Sequence, residues 1–188
     1  ILISQKFNVK LFDIEKQKIS LIEEKKSPIK DKDIEEFLSN KNLNLNPTSD
    51  SQKAYKDADF VIIATPTNYD PDEGTFDTSS VEGVIEEALS NKPSICIVIK
   101  STIPLGFTDG IRANFKTKNI FFSPEFLREG SALYDNLYPS RIIVGDSHEN
   151  AKVFARVLSE CSNQKSDKTQ IFYMQSSEAE AVKLFSNT

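Results

Sequence analysis

The stretch SICIVIKSTIPLGFT, residues 94–108, decides how this chain folds. Six residues of it, IleCysIleValIle and then Lys100, form a run that is apolar on both faces of a pleat rather than on alternate residues. That is how a strand buried on both sides of a parallel sheet reads. The run stops at Lys100, Ser101 and Thr102, and Pro104 and Gly106 precede a helix-period segment. Working outward, similar apolar runs recur as VKLFDI (9–14), DFVIIAT (59–65), NIFFS (119–123) and RIIVG (141–145), with a weaker TQIFYM (169–174). Between them lie EKQKISLIEEKK, DKDIEEFLS, SSVEGVIEEALS, TDGIRANF and ENAKVFARVLSE, with apolar residues at three- and four-residue spacing. Ser79 with Glu82, and Ser177 with Glu180, have the spacing of capping boxes. SDSQKAYKD and ECSNQKSDK read as polar connections, and PDEG as turn chemistry. Alternating strands and helices predict an α/β fold with a doubly wound, mostly parallel, Rossmann-like sheet.

Composition narrows the function classes. With 188 residues there is room for one good core, and 38% hydrophobic and 27% charged residues are ordinary for a globular chain. A net charge of −5 argues against a nucleic-acid surface. No apolar run approaches the roughly 18 residues of a membrane span. The two cysteines make no secreted-type framework, and a reducing, cytoplasmic compartment fits them best. Cys96 reads as a buried strand residue and Cys161 as incidental; the one histidine, His148, lies in a polar GDSHEN turn. That pattern predicts neither a metal site nor a Cys/His nucleophile.

In sheets of this kind ligands bind beyond the carboxyl ends of the strands, so the strand exits are where chemistry is expected. Asp13 ends the first run, where an acidic residue can hold ribose hydroxyls or simply be solvated. Lys18 is within reach of the same region, and the absence of an arginine after Asp13 favours NAD over NADP. Ala64, Thr65, Pro66 and Thr67 form a small-residue exit that lets a flat cofactor approach the backbone. Lys100 to Thr102 repeat the pattern, although structural turns account for either exit taken alone. Residues 121–141, FFSPEFLREGSALYDNLYPSR, crowd Glu125, Arg128, Glu129, a semi-rigid loop with two tyrosines, and Arg141 just past a buried strand. In EAEAVKLFSNT, Lys183 and Asn187 fall on one helix stripe, which is commonly wet surface and otherwise a clamp for an oxyanion. Val182 and Phe185 lie elsewhere on the wheel and are expected to pack.

Taken in order and spacing, ATPTNYD, KSTIPLGFT, FSPEFLREGSALYDNLYPSRI and SEAEAVKLFSNT resemble the UDP-glucose 6-dehydrogenase branch of the UDP-glucose/GDP-mannose dehydrogenase family. The resemblance runs over essentially the whole chain. It implies an NAD-dependent, four-electron oxidation of UDP-glucose to UDP-glucuronate, with two hydride transfers and a cysteine thioester. It implies that Asp13 and Lys18 hold the adenosine end of NAD and that Thr67 and Thr102 lie along the cofactor, Thr102 also positioning a water. Glu125, Phe126, Leu127, Arg128 and Glu129 would line the UDP-glucose site, Glu129 also touching the cofactor and serving as acid/base for hydrolysis. Lys183 and Asn187 would bind substrate and stabilise the oxyanion. Tyr134, Tyr138 and Arg141 stay open between substrate, packing and subunit contacts. The resemblance further implies a homodimer at full length and polysaccharide biosynthesis as the setting. Sister enzymes acting on UDP-N-acetylmannosamine or GDP-mannose share the SPE element, and a non-catalytic nucleotide-binding module is the remaining alternative.

Two family features are missing: the glycine-rich phosphate loop with its strand, expected about 20 residues before Asp13, and the segment with the nucleophilic cysteine. Neither Cys96 nor Cys161 matches that cysteine. The sequence therefore reads as an internal fragment, inactive alone. Residues 1–174 would be an incomplete NAD-binding domain, and 175–188 the start of a connecting helix.

Overall fold

The computed structural model describes residues 1–72, 74–128, 130–163 and 169–186. The chain forms two compact units, interleaved along the sequence. The first comprises Ile1–Lys56, Leu127–Ser140 and Arg156–Gln170; the second comprises Asp57–Phe126, Arg141–Ala155 and Ile171–Thr188.

In the first unit a 3-10 turn, Ile3–Gln5, leads into strand β1, Val9–Phe12, and helix α1, Lys16–Glu23. Helix α2, Lys32–Asn40, starts at Asp31, whose carboxylate accepts from the N–H groups of Asp33 and Ile34 and so satisfies two donors that a helix start leaves without partners. Strand β2, Leu45–Thr48, runs parallel to β1, Val9 opposite Leu45 and Phe12 opposite Thr48. Helix α3, Ser51–Tyr55, is capped by Asp50 through the Lys53 N–H, and buries Ala54 and Tyr55. Helix α3 lies within SDSQKAYKD, which the sequence pattern showed only as polar connection, and β2 lies just before it, where no strand was read.

The second unit carries the central sheet. Strand β3, Phe60–Ile63, is followed by β4, Asn68–Asp70, and β5, Thr75–Asp77, which pair antiparallel. Helix α4, Ser79–Asn91, buries Val81, Ile85 and Ala88 and leads to strand β6, Cys96–Ile99, all of it buried. Helix α5, Phe107–Asn114, follows, then strand β7, Ile120–Phe122. The order is β3-β6-β7, all parallel, with Ile63, Ile99 and Phe122 in line at the carboxyl edge. Phe121, Phe122, Ile97, Ile99 and Ile120 are at most 2% exposed, and each such side chain contributes about 1.5–3 kcal/mol of burial.

Helix α6, Ala132–Leu137, returns to the first unit, where Leu133 and Leu137 pack with Leu2 and Cys161. Strand β8, Arg141–Val144, lies beside β9, Gln170–Tyr173, with helix α7, Glu149–Cys161, between them in sequence, and helix α8, Ser176–Ser186, follows. Gly145 ends β8 against α8. A Cβ there would stand 3.1 Å from Ala179 Cβ, Ser176 Cα and Phe122 O, so only glycine admits the helix this closely. The α/β architecture with parallel strands agrees with the expectation from the sequence.

Three local expectations are corrected. At α4 the cap is Thr78, whose hydroxyl bonds Glu82 at 2.6 Å, while Ser79 N–H donates to Asp77. At α8 the carboxylate turning back is Glu178, which accepts from Gln175 N–H at 2.8 Å; Glu180 is occupied elsewhere. Phe185 is 81% exposed.

Candidate active site

The parallel register of β3, β6 and β7 sets three strand exits side by side, and hydrogen bonds lock them together. Lys100 N–H donates to the Ile63 carbonyl at 2.8 Å, and Ser123 N–H to the Ile99 carbonyl at 2.9 Å. Ser101 Oγ donates to the Thr65 carbonyl at 2.7 Å. Thr67 Oγ1 donates to the carbonyl of Thr102 at 2.7 Å. Thr67 and Thr102, 35 residues apart, thus belong to one surface, with the Thr67 hydroxyl proton engaged in holding it. Ser80, at the start of α4, adds contacts to Pro66 O at 2.9 Å and Thr65 Oγ1 at 3.1 Å.

The third exit seats a lysine. Lys183, only 9% exposed on α8, donates from Nζ to the Glu125 carbonyl at 2.7 Å and lies 5.7 Å from the centre of the Phe126 ring. Burial pushes its ammonium below the ordinary lysine range, and the Glu125 carboxylate opposes that shift. Arg141 stacks on Phe126 as well, 5.3 Å from the ring centre. Lys100, half-buried, donates to the Ser123 carbonyl at 3.1 Å, and burial likewise lowers its pKa.

Helix α8 is fixed relative to these exits by Glu180. This fully buried carboxylate accepts from Gly106 N–H at 2.6 Å, Thr108 N–H at 2.9 Å and Thr108 Oγ1–H at 2.6 Å. Gly106 has φ +83°, the left-handed conformation that turns its N–H toward the carboxylate. An anion from another element therefore caps the start of α5, where helix donors lack partners.

In the first unit Asp13 and Lys18 are neighbours. Asp13 Oδ1 accepts from Glu15 N–H at 2.8 Å, and Oδ2 stands 3.7 Å from Lys18 Nζ, which makes a closer bond to Glu15. The half-buried carboxylate keeps lone pairs that could accept from a diol, as the ribose end of a dinucleotide would offer. Leu127 and Arg128 also belong to this unit, whereas Glu125 and Phe126 belong to the second. Arg128 is taken by Asp135, through its own N–H at 2.8 Å and its guanidinium at 2.6 Å. Tyr134 and Tyr138 lie ring to ring at 4.8 Å. Glu129 and Asn187 lie outside the described residues.

The sequence pattern placed Lys100 only at a strand exit and Glu180 only in a capping box, and gave neither a role in the site. For Lys100 a signal existed: a cation that ends a wholly apolar strand needs a partner. Cys96 behaves as read, its thiol pushed up to about 12, chiefly by burial.

Away from the exits, Arg112 braces α5 against β8 and α8. It donates to Ile120 O, to Ser176 Oγ at 2.9 Å and to Asp146, which is also bonded by His148 N–H at 2.8 Å. Burial raises the Asp146 pKa, but the His148 and Arg112 bonds outweigh it and hold the carboxyl below its ordinary value. A lowered acid pKa means that the unfolded chain binds more protons. This stability is therefore present above the ordinary value of about 3.9 and is lost as pH falls through the folded one. Asp146→Asn is expected to cost about 1–3 kcal/mol at neutral pH and to flatten the acid side of the stability profile, as read from urea midpoints across pH.

Residues 1–162 match the UDP-glucose/GDP-mannose dehydrogenase family, NAD binding domain, and the chain belongs to that family. Among curated relatives it is 50% identical over 180 residues to the UDP-glucose 6-dehydrogenase of Campylobacter jejuni, covering 96% of this chain and 45% of the relative. It is 47% identical over 192 aligned positions to the UDP-glucose 6-dehydrogenase of Streptococcus pneumoniae, covering 100% and 49%. The chain thus spans about half the length of the curated relatives it matches. Among solved structures, GDP-mannose dehydrogenase from Pseudomonas aeruginosa superposes with TM-score 0.84 at 25% identity, over 99% of this chain and 45% of that one. A UDP-glucose dehydrogenase from Pyrobaculum islandicum gives 0.82 at 26%, with the same coverage. Among the described residues no helix is long and apolar enough to cross a membrane.

Proposed function

We propose that this chain supplies the NAD-binding part of an enzyme that oxidises UDP-glucose to UDP-glucuronate. The observation that carries the reading is Lys183: a buried ammonium seated on the exit of β7, at the carboxyl edge of a parallel sheet. NAD, when bound, accepts hydride from the sugar C6. Asp13 and Lys18 hold its adenosine end, and Thr67 and Thr102 line it, Thr102 also orienting a water. Glu125, Phe126, Leu127, Arg128 and Glu129 shape the sugar-nucleotide site, Glu129 moving the proton in hydrolysis. Lys183 and Asn187 stabilise the oxyanion through charge and hydrogen bonding in a site from which water is excluded. Residues 1–174 act as the NAD-binding domain, and 175–188 begin the connecting helix. The setting is cytoplasmic, and the full-length protein is a homodimer.

Identity near 50% to two UDP-glucose 6-dehydrogenases favours this substrate. The likeness to GDP-mannose dehydrogenase supports a sister substrate as the second reading. The test is NADH formation by the full-length protein with UDP-glucose, UDP-N-acetylmannosamine and GDP-mannose in parallel. UDP-glucose is expected to give the highest kcat/KM, and preference for either other sugar nucleotide overturns that choice. The 188-residue chain alone is expected to give no turnover; measurable NADH from it refutes the expectation.

A further inference from the structure

Three cations close on one short segment, Ser123 to Phe126, and the dehydrogenase reading uses only Lys183. Lys183 reaches the Glu125 carbonyl from α8, Arg141 covers Phe126 from β8, and Lys100 reaches the Ser123 carbonyl from the end of β6. Ser123 does not need Lys100 to hold its place. Its N–H is bonded to Ile99 O at 2.9 Å and its hydroxyl to Ile143 O at 2.8 Å. A neutral donor would satisfy the Ser123 carbonyl as well, without the cost of drawing an ammonium out of water. What a neutral donor lacks is charge, and Lys100 stands within electrostatic reach of both Glu125 and Lys183.

The arrangement is uneven in an informative way. Lys183 lies close enough to Glu125 to feel its carboxylate, yet its 2.7 Å bond is to the backbone carbonyl of the same residue. An ammonium left alone with a carboxylate in a half-buried setting is drawn into a charge-assisted pair. We propose that Lys100 is a positioning residue for Lys183: its charge shares the Glu125 carboxylate and repels Lys183, which stays on the Glu125 carbonyl with its other N–H bonds directed to an anionic substrate group. Among the described residues, the charged groups facing Lys183 are Glu125 from the β7 exit, Lys100 from β6, Arg141 across the Phe126 ring from β8, and Glu180 one turn back on α8. Glu180 is committed to α5, so Lys100 is the cation that balances Glu125. Without it, Lys183 moves into a tight pair with the carboxylate and its charge is quenched.

The kinetic arm of the test rests on the dehydrogenase reading; a second arm does not. In the full-length protein, Lys100→Gln keeps a donor for the Ser123 carbonyl and removes the charge, while Lys100→Arg keeps both. Lys100→Gln is expected to lower kcat about tenfold or more with little change in the KM for UDP-glucose, and Lys100→Arg to retain most of the activity. Independently, competitive labelling with acetic anhydride across pH, read by mass spectrometry of the Lys183 peptide, reports the titration of Lys183 itself. Its midpoint is expected to move up in Lys100→Gln, because a like charge has gone and the carboxylate has closed in, and to return in Lys100→Arg. Folded Lys100→Gln with wild-type kcat and an unmoved labelling midpoint overturns the proposal. Loss of folding in both Lys100→Gln and Lys100→Met, with Lys100→Arg folded, also overturns it and makes Lys100 structural. If the wild-type protein oxidises none of the three sugar nucleotides, the dehydrogenase reading fails and the labelling arm alone decides the role of Lys100.

Discussion

Glu180→Ala is expected to lower the unfolding free energy by about 3 kcal/mol or more. The carboxylate is fully buried and accepts three hydrogen bonds, two from the backbone at the start of α5 and one from the Thr108 hydroxyl. Alanine leaves all three donors facing a cavity. Each unsatisfied buried donor costs about 1–3 kcal/mol, partly offset because a buried charge is no longer drawn from water. Glu180→Gln keeps the volume but presents an NH2 group where one carboxylate oxygen accepted, so it falls between alanine and wild type. The measurement is a urea titration followed by circular dichroism, on this chain and on the full-length protein. An alanine midpoint indistinguishable from wild type would mean that the bonds contribute nothing net. Because Lys183 lies one turn further along the same helix, the alanine variant should also lose activity out of proportion to its remaining folded fraction.

That role for Glu180 was hidden by a coincidence of spacing. Ser177-x-x-Glu180 has the form of a capping box, and sequence carries no sign that the helix begins at Ser176 with Glu178 turned back instead. The central strands were legible because Val, Ile and Phe on both faces of a pleat have few alternatives to a parallel sheet. Strand β2, LNPT, was not, because Pro47 and two polar residues carry no such pattern; it is a strand because β1 offers it a partner. Helix α3 is five residues with an Asp50 cap, too short for a period to show. Phe185 was expected to pack because it is apolar, yet it is 81% exposed.

The candidate site divides in the same manner. Asp13, Thr67, Thr102 and Lys183 could each be picked out because a strand exit or a helix stripe is a local property. The bonds that order the strand exits are not local. Thr67 to Thr102 spans 35 positions and Glu180 to Thr108 spans 72, and only the fold brings such residues together. Arg128 is similar: its guanidinium bonds Asp135, seven residues on, a partner that the sequence pattern does not announce.

Lys183→Met is expected to reduce kcat of the full-length protein about a hundred- to a thousand-fold, the range for removing one preorganised oxyanion donor. Methionine nearly matches the lysine stem in length, and Phe126 and the α8 neighbours keep a side chain to pack against. KM for UDP-glucose should change much less if, as proposed, the charge acts on an oxyanion that develops during reaction. Lys183→Arg should not restore the rate, since a planar guanidinium cannot occupy the point position that the ammonium holds 2.7 Å from Glu125 O. The pH profile separates charge from packing. Burial sets the Lys183 pKa below the ordinary lysine value, and the ammonium is the active form. The wild-type rate should therefore fall on the alkaline side with a midpoint below about 10.4, and the methionine variant should lack that limb. Stability moves in the other direction. A base whose folded pKa is depressed leaves the unfolded chain binding more protons, so the contribution of Lys183 to stability rises with pH between the folded and unfolded values. Lys183→Met removes this dependence and should be as stable as wild type or more so at neutral pH, even as its turnover falls. A variant that lost activity in parallel with folding, and kept the alkaline limb in its residual rate, would show Lys183 to be a packing residue.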